Sequence, residues 1–106
     1  MKLGIIVNTN DVETAWNALR LGNEALVGGN QTTMFLLGSG VEMVAIKDKP
    51  FDVTGALRKF LGSGGNLLAC GTCLKSRHQE AGICPISTMP ELVKLISDSD
   101  KVVSLG

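Results

Sequence analysis

Residues 67–78 have the sequence Leu-Leu-Ala-Cys-Gly-Thr-Cys-Leu-Lys-Ser-Arg-His, and this stretch decides both the fold and the place where chemistry is expected. Its apolar start predicts a short buried strand over 66–69, and the residues from Gly71 to Gln79 predict a helix. Cys70 therefore falls where a strand ends and a helix begins. In open α/β sheets, ligands bind at this edge, outside the carboxyl ends of the strands.

The same alternation of strands and helices extends along the whole chain. Strands are predicted over 2–7, 32–37, 66–69, 83–87 and 101–105. Five helices are predicted. The first begins at Asn10 and the last at Thr88, and each of these two has a capping pair, with Glu13 and Glu91 respectively. The other three are predicted over 41–46, after Asp52 and over 71–79. Such alternation is typical of a parallel sheet covered by helices. We expect one α/β domain over residues 1–106, with three α/β/α layers and a mostly parallel sheet of about five strands.

The charge balance bears on the class of partner. Ten Lys and Arg residues balance ten Asp and Glu residues in this chain of 106 residues. A formal charge of zero argues against nucleic acid as a partner, because phosphate binding requires a basic surface. Charged residues make up 19% of the chain, below the ~25% of ordinary domains. This shortage favours burial of part of the surface by another subunit.

The apolar run near the N-terminus, residues 3–7, bears on location. It is too short for a secretion signal and far too short to span a bilayer. We therefore expect a cytoplasmic protein with no membrane partner. Thiols stay reduced in that compartment, so the three cysteines are expected to serve chemistry rather than form structural disulfides.

Cys70 is the leading candidate for a catalytic residue. Unpaired N–H groups and the partial positive charge at a helix start favour the thiolate, which is the nucleophile in sulfur chemistry. Cys73 and Arg77 follow at three and seven residues, so a helix that begins at Cys70 brings all three to roughly one side. Arg77 would then bind an anionic sulfur species. The alternative is a small buried Cys70 and a solvated Arg77.

The remaining thiols leave alternatives open. Cys73 forms a Cys-x-x-Cys pair with Cys70, a spacing found in dithiol redox motifs, or it serves packing. Cys84 is either a resolving thiol for Cys70 or a core residue of the fourth strand. A zinc set of the three cysteines and His78 can be written, but its spacing is poor because only one tight pair exists. We predict no metal and no cofactor, and a surface or interface position for His78.

The turn Gly38-Ser39-Gly40 follows the second predicted strand. It lacks the third glycine of a dinucleotide-binding loop and the lysine of a P-loop, so it is a weak nucleotide signal. We expect instead that this turn brings backbone N–H groups near the Cys70 site.

Together these features resemble the DsrE/DsrF-like family, whose fold is named after YchN. The resemblance rests on the opening strand and long helix, the Gly-x-Gly-Val turn of residues 38–41, and the Ala-Cys-Gly-x-Cys-Leu-x-x-Arg stretch of residues 69–77. It implies that Cys70 matches the persulfide-carrying cysteine of the family's sulfur carriers, and Arg77 their arginine. It also implies a homotrimer or homohexamer with sulfur donor and acceptor proteins as partners.

Three functions follow from the residues and the resemblance. The leading hypothesis is a sulfur carrier, transferase-like if active, that holds a persulfide on Cys70 and passes the sulfur to an acceptor thiol. The second is a redox module that cycles a disulfide between Cys70 and either Cys73 or Cys84. The third is a non-catalytic oligomeric module that binds a small anion at the strand ends.

Overall fold

The computed structural model describes residues 1–77 and 85–106. Within these residues, five strands pair in parallel in the order β4-β3-β2-β1-β5. The strands are β1 (Lys2–Val7), β2 (Gln31–Leu36), β3 (Asn66–Cys70), β4 (Ile86–Ser87) and β5 (Lys101–Leu105). The helices are α1 (Val12–Val27), α2 (Val53–Gly62), α3 (Gly71–Ser76) and α4 (Met89–Asp98), and a 3₁₀ helix spans Gly38–Ala45.

Helices cover both faces of the sheet. On one face, Gly22 of α1 lies beside the ring of Phe60 from α2 and the side chain of Ile5 from β1. On the other face, Gly4 of β1 lies beside Leu95 of α4. Ile5 and Gly4 are consecutive in β1, so they point to opposite faces. This arrangement confirms the predicted three-layer α/β fold with a parallel sheet.

The middle strand, β2, shows why the sequence favoured a parallel sheet. Met34, Phe35 and Leu36 are consecutive, and all three are completely buried. Consecutive strand residues face opposite layers, so a run that is apolar throughout requires cover on both sides. Burying side chains of this size stabilises the fold by about 1.5–3 kcal/mol each, before the entropy cost of ordering the chain.

Two of the three predicted helix caps are confirmed, and one is wrong. Asp52 accepts a hydrogen bond from the Gly55 N–H at 2.9 Å, and Thr88 accepts one from the Glu91 N–H. The first helix, however, is capped by Asp11 and not by Asn10. The Asp11 carboxylate accepts from the Thr14 N–H at 3.0 Å, because Asp11 is the residue in the extended conformation before the first helical turn.

Several predicted boundaries shift in the structure. β2 begins at Gln31 instead of residue 32, and β3 extends through Cys70. The predicted short helix over 41–46 is a 3₁₀ helix that already begins at Gly38. α3 ends at Ser76, with Arg77 as its C-cap, so it is shorter than the predicted helix over 71–79. Residues 78, 79, 83 and 84 of the predicted elements lie outside the described residues.

None of the helices described here, in residues 1–77 and 85–106, is long and apolar enough to cross a membrane.

The 3₁₀ helix, hereafter the 38–45 segment, is seated on the carboxyl end of β1. The Leu37 N–H donates to the Val7 carbonyl at 3.0 Å, and the Gly40 N–H donates to the Leu37 carbonyl at 2.9 Å. A Cβ atom on Gly40 would collide with the backbone oxygen of Val7. Backbone cannot withdraw as a flexible side chain can, so glycine at position 40 permits this close approach.

We predict that Gly40→Ala destabilises the fold by about 1–3 kcal/mol, the usual cost of forcing extra atoms into a packed site. Gly62→Ala is the matched control, because a Cβ atom at Gly62 meets nothing within 4 Å. Alanine in the last turn of α2 should be neutral or slightly stabilising. Urea unfolding of both variants measures the difference. Equal stability of the two would contradict the close approach at Gly40.

Candidate functional site

Cys70 lies at the junction that the sequence predicted. It is the last residue of β3 and the N-cap of α3, with φ −62° and ψ 117°. β3 lies between β2 and β4, and Cys70 pairs with Ser87 of β4. The side chain of Cys70 is buried, with 2% of the residue exposed. The thiol is thus placed at the carboxyl edge of the sheet but is covered there.

Cys73 lies one helical turn further on and contacts Cys70. Its sulfur accepts a hydrogen bond from the Gly38 N–H at 3.3 Å, and its thiol hydrogen-bonds to Cys70. Burial raises the pKa of Cys73, and the hydrogen bond to Cys70 raises that pKa further because it favours the protonated thiol. Cys73 is only partly buried. The two cysteines, hereafter the cysteine pair, therefore differ in both exposure and environment.

The turn at Gly38 supplies the N–H group that reaches the cysteine pair. Gly38 has a φ of +56°, a conformation that side chains rarely adopt, and a Cβ atom there would collide with the Asn8 side chain. The expectation that this turn brings N–H groups to the cysteine site is confirmed, with Cys73 as the acceptor. This hydrogen bond lowers the pKa of Cys73, against the larger effect of burial.

Arg77 lies beside Cys73 and is paired with a carboxylate. Its backbone N–H donates to the Cys73 carbonyl at 3.2 Å, and its Nη1 donates to Glu42 Oε2 at 3.0 Å. The positive charge of Arg77 lowers the pKa of Cys73. From the sequence, Arg77 was expected to serve an anion on Cys70. In the structure its charge acts on Cys73, and its guanidinium is engaged by Glu42.

The structure corrects the expected exposure of Cys70. Helix position was expected to give Cys70 both thiolate character and access, but the access is missing because the residue is covered. Cys73 is the more exposed thiol of the pair, but its raised pKa lowers the fraction of nucleophilic thiolate that it holds near neutral pH. Cys84 and His78, the other candidate residues, lie outside the described part of the chain.

Two features of the site have no signal in the sequence. Glu42 pairs with a residue 35 positions away, and no local pattern identifies it. Ser87 is buried and donates its hydroxyl hydrogen to Glu91 Oε2. The capping pattern of Thr88 and Glu91 predicted that the glutamate side chain would return to the helix start. Its hydrogen bond to Ser87 instead places a carboxylate next to the strand residue that pairs with Cys70.

The model of the DsrE/DsrF-like family matches residues 1–105. The chain belongs to the DsrE/DsrF-like family. This confirms the resemblance that the motif of residues 69–77 indicated.

Two uncharacterized archaeal proteins are similar to this chain in sequence. An uncharacterized protein of Methanocaldococcus jannaschii is 31% identical over 99 residues, which cover 87% of each chain. An uncharacterized protein of Methanopyrus kandleri is 33% identical over 98 residues, which cover 86% of this chain and 81% of the relative. Both matches extend over most of this chain.

Solved structures establish the fold of this DsrE/DsrF-like chain. It superposes on the YchN protein of Escherichia coli with a TM-score of 0.82 at 22% identity, covering 98% of this chain and 99% of YchN. A conserved protein of unknown function from Bacteroides thetaiotaomicron gives a TM-score of 0.78 at 21% identity, with 97% and 93% covered. At these identities the likeness shows a shared YchN-like fold.

The raised pKa of Cys73 predicts its pH profile. Alkylation of Cys73 by iodoacetamide should reach half of its maximal rate at a higher pH in the native chain than in the urea-unfolded chain. The reason is that burial and the hydrogen bond to Cys70 both favour the protonated thiol. Fragmentation of the peptide that carries both cysteines assigns the label. A native midpoint at or below the unfolded one would contradict this environment.

Proposed function

We propose that this protein is a sulfur relay carrier that holds a persulfide on Cys70 and passes its outer sulfur to an acceptor thiol. The observation that supports it best is the contact between the Cys70 and Cys73 thiols at the carboxyl end of β3, with the Gly38 N–H on Cys73. Membership of the DsrE/DsrF-like family supports a sulfur-relay-related fold. Cys70, Cys73 and Arg77 are the proposed site residues.

The proposed reaction consists of two sulfur transfers. In loading, the Cys70 thiolate attacks the outer sulfur of a donor persulfide, the sulfur–sulfur bond of the donor breaks, and the donor leaves as a thiolate. In unloading, an acceptor thiolate attacks the same outer sulfur, and Cys70 leaves as a thiolate. Each step exchanges one sulfur–sulfur bond for another, so no external oxidant or reductant is needed. Cys73 lies beside the Cys70 sulfur, and its raised pKa favours its protonated form near neutral pH.

Access to Cys70 then passes the side of Cys73, the more exposed member of the pair. A donor has to displace or move past this side chain to reach the buried sulfur. Among the described residues, Cys73 is the thiol beside Cys70, so it is also a competing nucleophile. When it loses its proton, it can attack the inner sulfur of the loaded persulfide, which forms a Cys70–Cys73 disulfide and releases hydrosulfide.

A dithiol redox function is the alternative that the same contact favours. In this case a partner disulfide oxidises the pair, so that Cys70 and Cys73 form a disulfide and the partner leaves as a dithiol. Adjacent thiols at Cys-x-x-Cys spacing are the structural requirement for such a cycle. The Cys84 version of this alternative involves a residue outside the described part of the chain.

We further propose that the carrier is a cytoplasmic homotrimer or homohexamer with sulfur donor and acceptor proteins as partners. Exposed apolar side chains on α4 and β5 support burial by other subunits. They are Met89, Val93 and Ile96 of α4 and Val102 and Val103 of β5. Light scattering at micromolar concentration should give three or six times the chain mass of 11.1 kDa. A particle of one chain mass contradicts this proposal.

Intact-protein mass spectrometry after incubation with a persulfide donor tests the function. The relay predicts a gain of one sulfur mass that a reducing agent reverses. The redox module predicts a loss of two hydrogen masses that is not preceded by a sulfur-loaded form. An unchanged mass favours a non-catalytic module that binds a small anion, and it rejects both thiol functions.

Cysteine variants identify the carrier residue. Cys70→Ser should abolish sulfur loading, because the proposed acceptor sulfur is gone, whereas Cys84→Ser should retain most of it. Cys73→Ser keeps a hydrogen-bond donor but removes the competing nucleophile, so the loaded form should persist longer. The decay of the loaded mass with time measures this lifetime. Full loading of Cys70→Ser would reject Cys70 as the carrier.

A further inference from the structure

The Arg77 guanidinium can interact with two groups, the Glu42 carboxylate and the Cys73 sulfur. Arg77 follows Cys73 by four residues and closes the last turn of α3, with its backbone N–H on the Cys73 carbonyl. Residues four apart on a helical turn are neighbours on one face, so the Arg77 side chain is within reach of the Cys73 sulfur. Its guanidinium nevertheless donates to the Glu42 carboxylate at 3.0 Å.

Glu42 is held in place by the core on both sides of it. Val41 and Met43 are buried, with exposures of 1% and 0%, so the backbone at residue 42 is anchored. Four residues earlier, the Gly38 N–H binds the Cys73 sulfur. The 38–45 segment therefore contacts α3 at Cys73 and its C-cap at Arg77, where the Glu42 carboxylate accepts from the guanidinium.

We infer that Glu42 is a positioning residue that lowers the reactivity of the Cys73 thiol, because it holds the Arg77 guanidinium away from the Cys73 sulfur. This inference rests on the proposed function for its biological meaning, because the restraint matters when Cys73 competes for the sulfur on Cys70. The side chains of Arg77 and Glu42 are 40% and 28% exposed, so the pair is partly solvated and can open.

Electrostatics gives the direction of the effect. Arg77 lowers the pKa of Cys73 even while its guanidinium is paired with Glu42. An attraction between charges grows as their separation falls, so a guanidinium released toward the sulfur favours the Cys73 thiolate more strongly. Among the described residues, the other groups that bear on Cys73 are the Cys70 thiol, which disfavours its thiolate, and the Gly38 N–H, which favours it. Lys75 is on the same helix and is exposed.

The experiment measures the rate at which Cys73 is alkylated at a pH below its pKa. Peptide mapping assigns the label to Cys73. Glu42→Gln frees Arg77 and should raise this rate about twofold to fivefold, the range in which exposed ion pairs act. Arg77→Gln should lower the rate. In the double variant, Glu42→Gln should have little effect, because its influence is transmitted through Arg77. Glu24→Gln is the matched control, since Glu24 is an exposed carboxylate in the last turn of α1, away from the cysteine pair.

Two results would overturn the inference. If Glu42→Gln slows alkylation in the same direction as Arg77→Gln, the ion pair merely clamps the 38–45 segment to α3. If Glu42→Gln has its full effect in the absence of Arg77, the lost negative charge acts directly and Arg77 is not its intermediary. Urea unfolding of each variant confirms that the fold is kept.

The failure of this inference can be told apart from failure of the proposed function, because alkylation requires no sulfur donor. Persistence of the Glu42 effect in a chain that gains no sulfur mass would reject the relay alone. Sulfur loading with no Glu42 effect would reject the positioning role alone.

Discussion

The cysteine site depends on the parallel register of β1, β2 and β3. Val7 pairs with Leu36, and Leu36 pairs with Ala69, so the three strands end at one level. The chain that leaves β2 must therefore turn beside the start of α3. A slip of one residue would move that turn by about 3.3 Å along the strand direction. The hydrogen bond from Gly38 to Cys73 is itself 3.3 Å long, so a slip of this size would break it. The same slip would reverse the faces of every strand side chain.

Elements with a complete local signal could be predicted from the sequence. β1 and β5 have the predicted bounds, because each is a short, largely apolar run that is followed by a turn-forming residue, Asn8 or Gly106. The caps at Asp52 and Thr88 were also predicted, since a capping side chain and the backbone N–H group that donates to it lie three residues apart. The choice of Asn10 over Asp11 was wrong because both residues are good caps. Only the backbone conformation, which depends on how the chain leaves β1, decides between them.

The candidate site was predictable only in part, for a related reason. The contact between Cys70 and Cys73 follows from helical spacing, and Arg77 follows Cys73 by one turn. The partners of these residues come from the 38–45 segment, 35 residues away in sequence, and the sheet alone brings them together. Burial of Cys70 is likewise a tertiary property. A strand end can be open or covered, and the apolar pattern of the strand is the same in both cases.

The unequal environments of the two cysteines suit the proposed relay better than two equivalent thiols would. Any thiolate that reaches a persulfide can remove its sulfur, so a carrier has to limit access until the acceptor arrives. Burial of Cys70 limits access from solvent, but it does not keep out Cys73, which already contacts Cys70. The raised pKa of Cys73 counters this weakness, because a thiol that keeps its proton is a poor nucleophile. Near neutral pH, a raised pKa therefore favours a protonated Cys73 beside the sulfur that its thiolate would attack. In the proposed relay, deprotonation of Cys73 on the alkaline side of that pKa would favour its attack on the inner sulfur and the release of hydrosulfide.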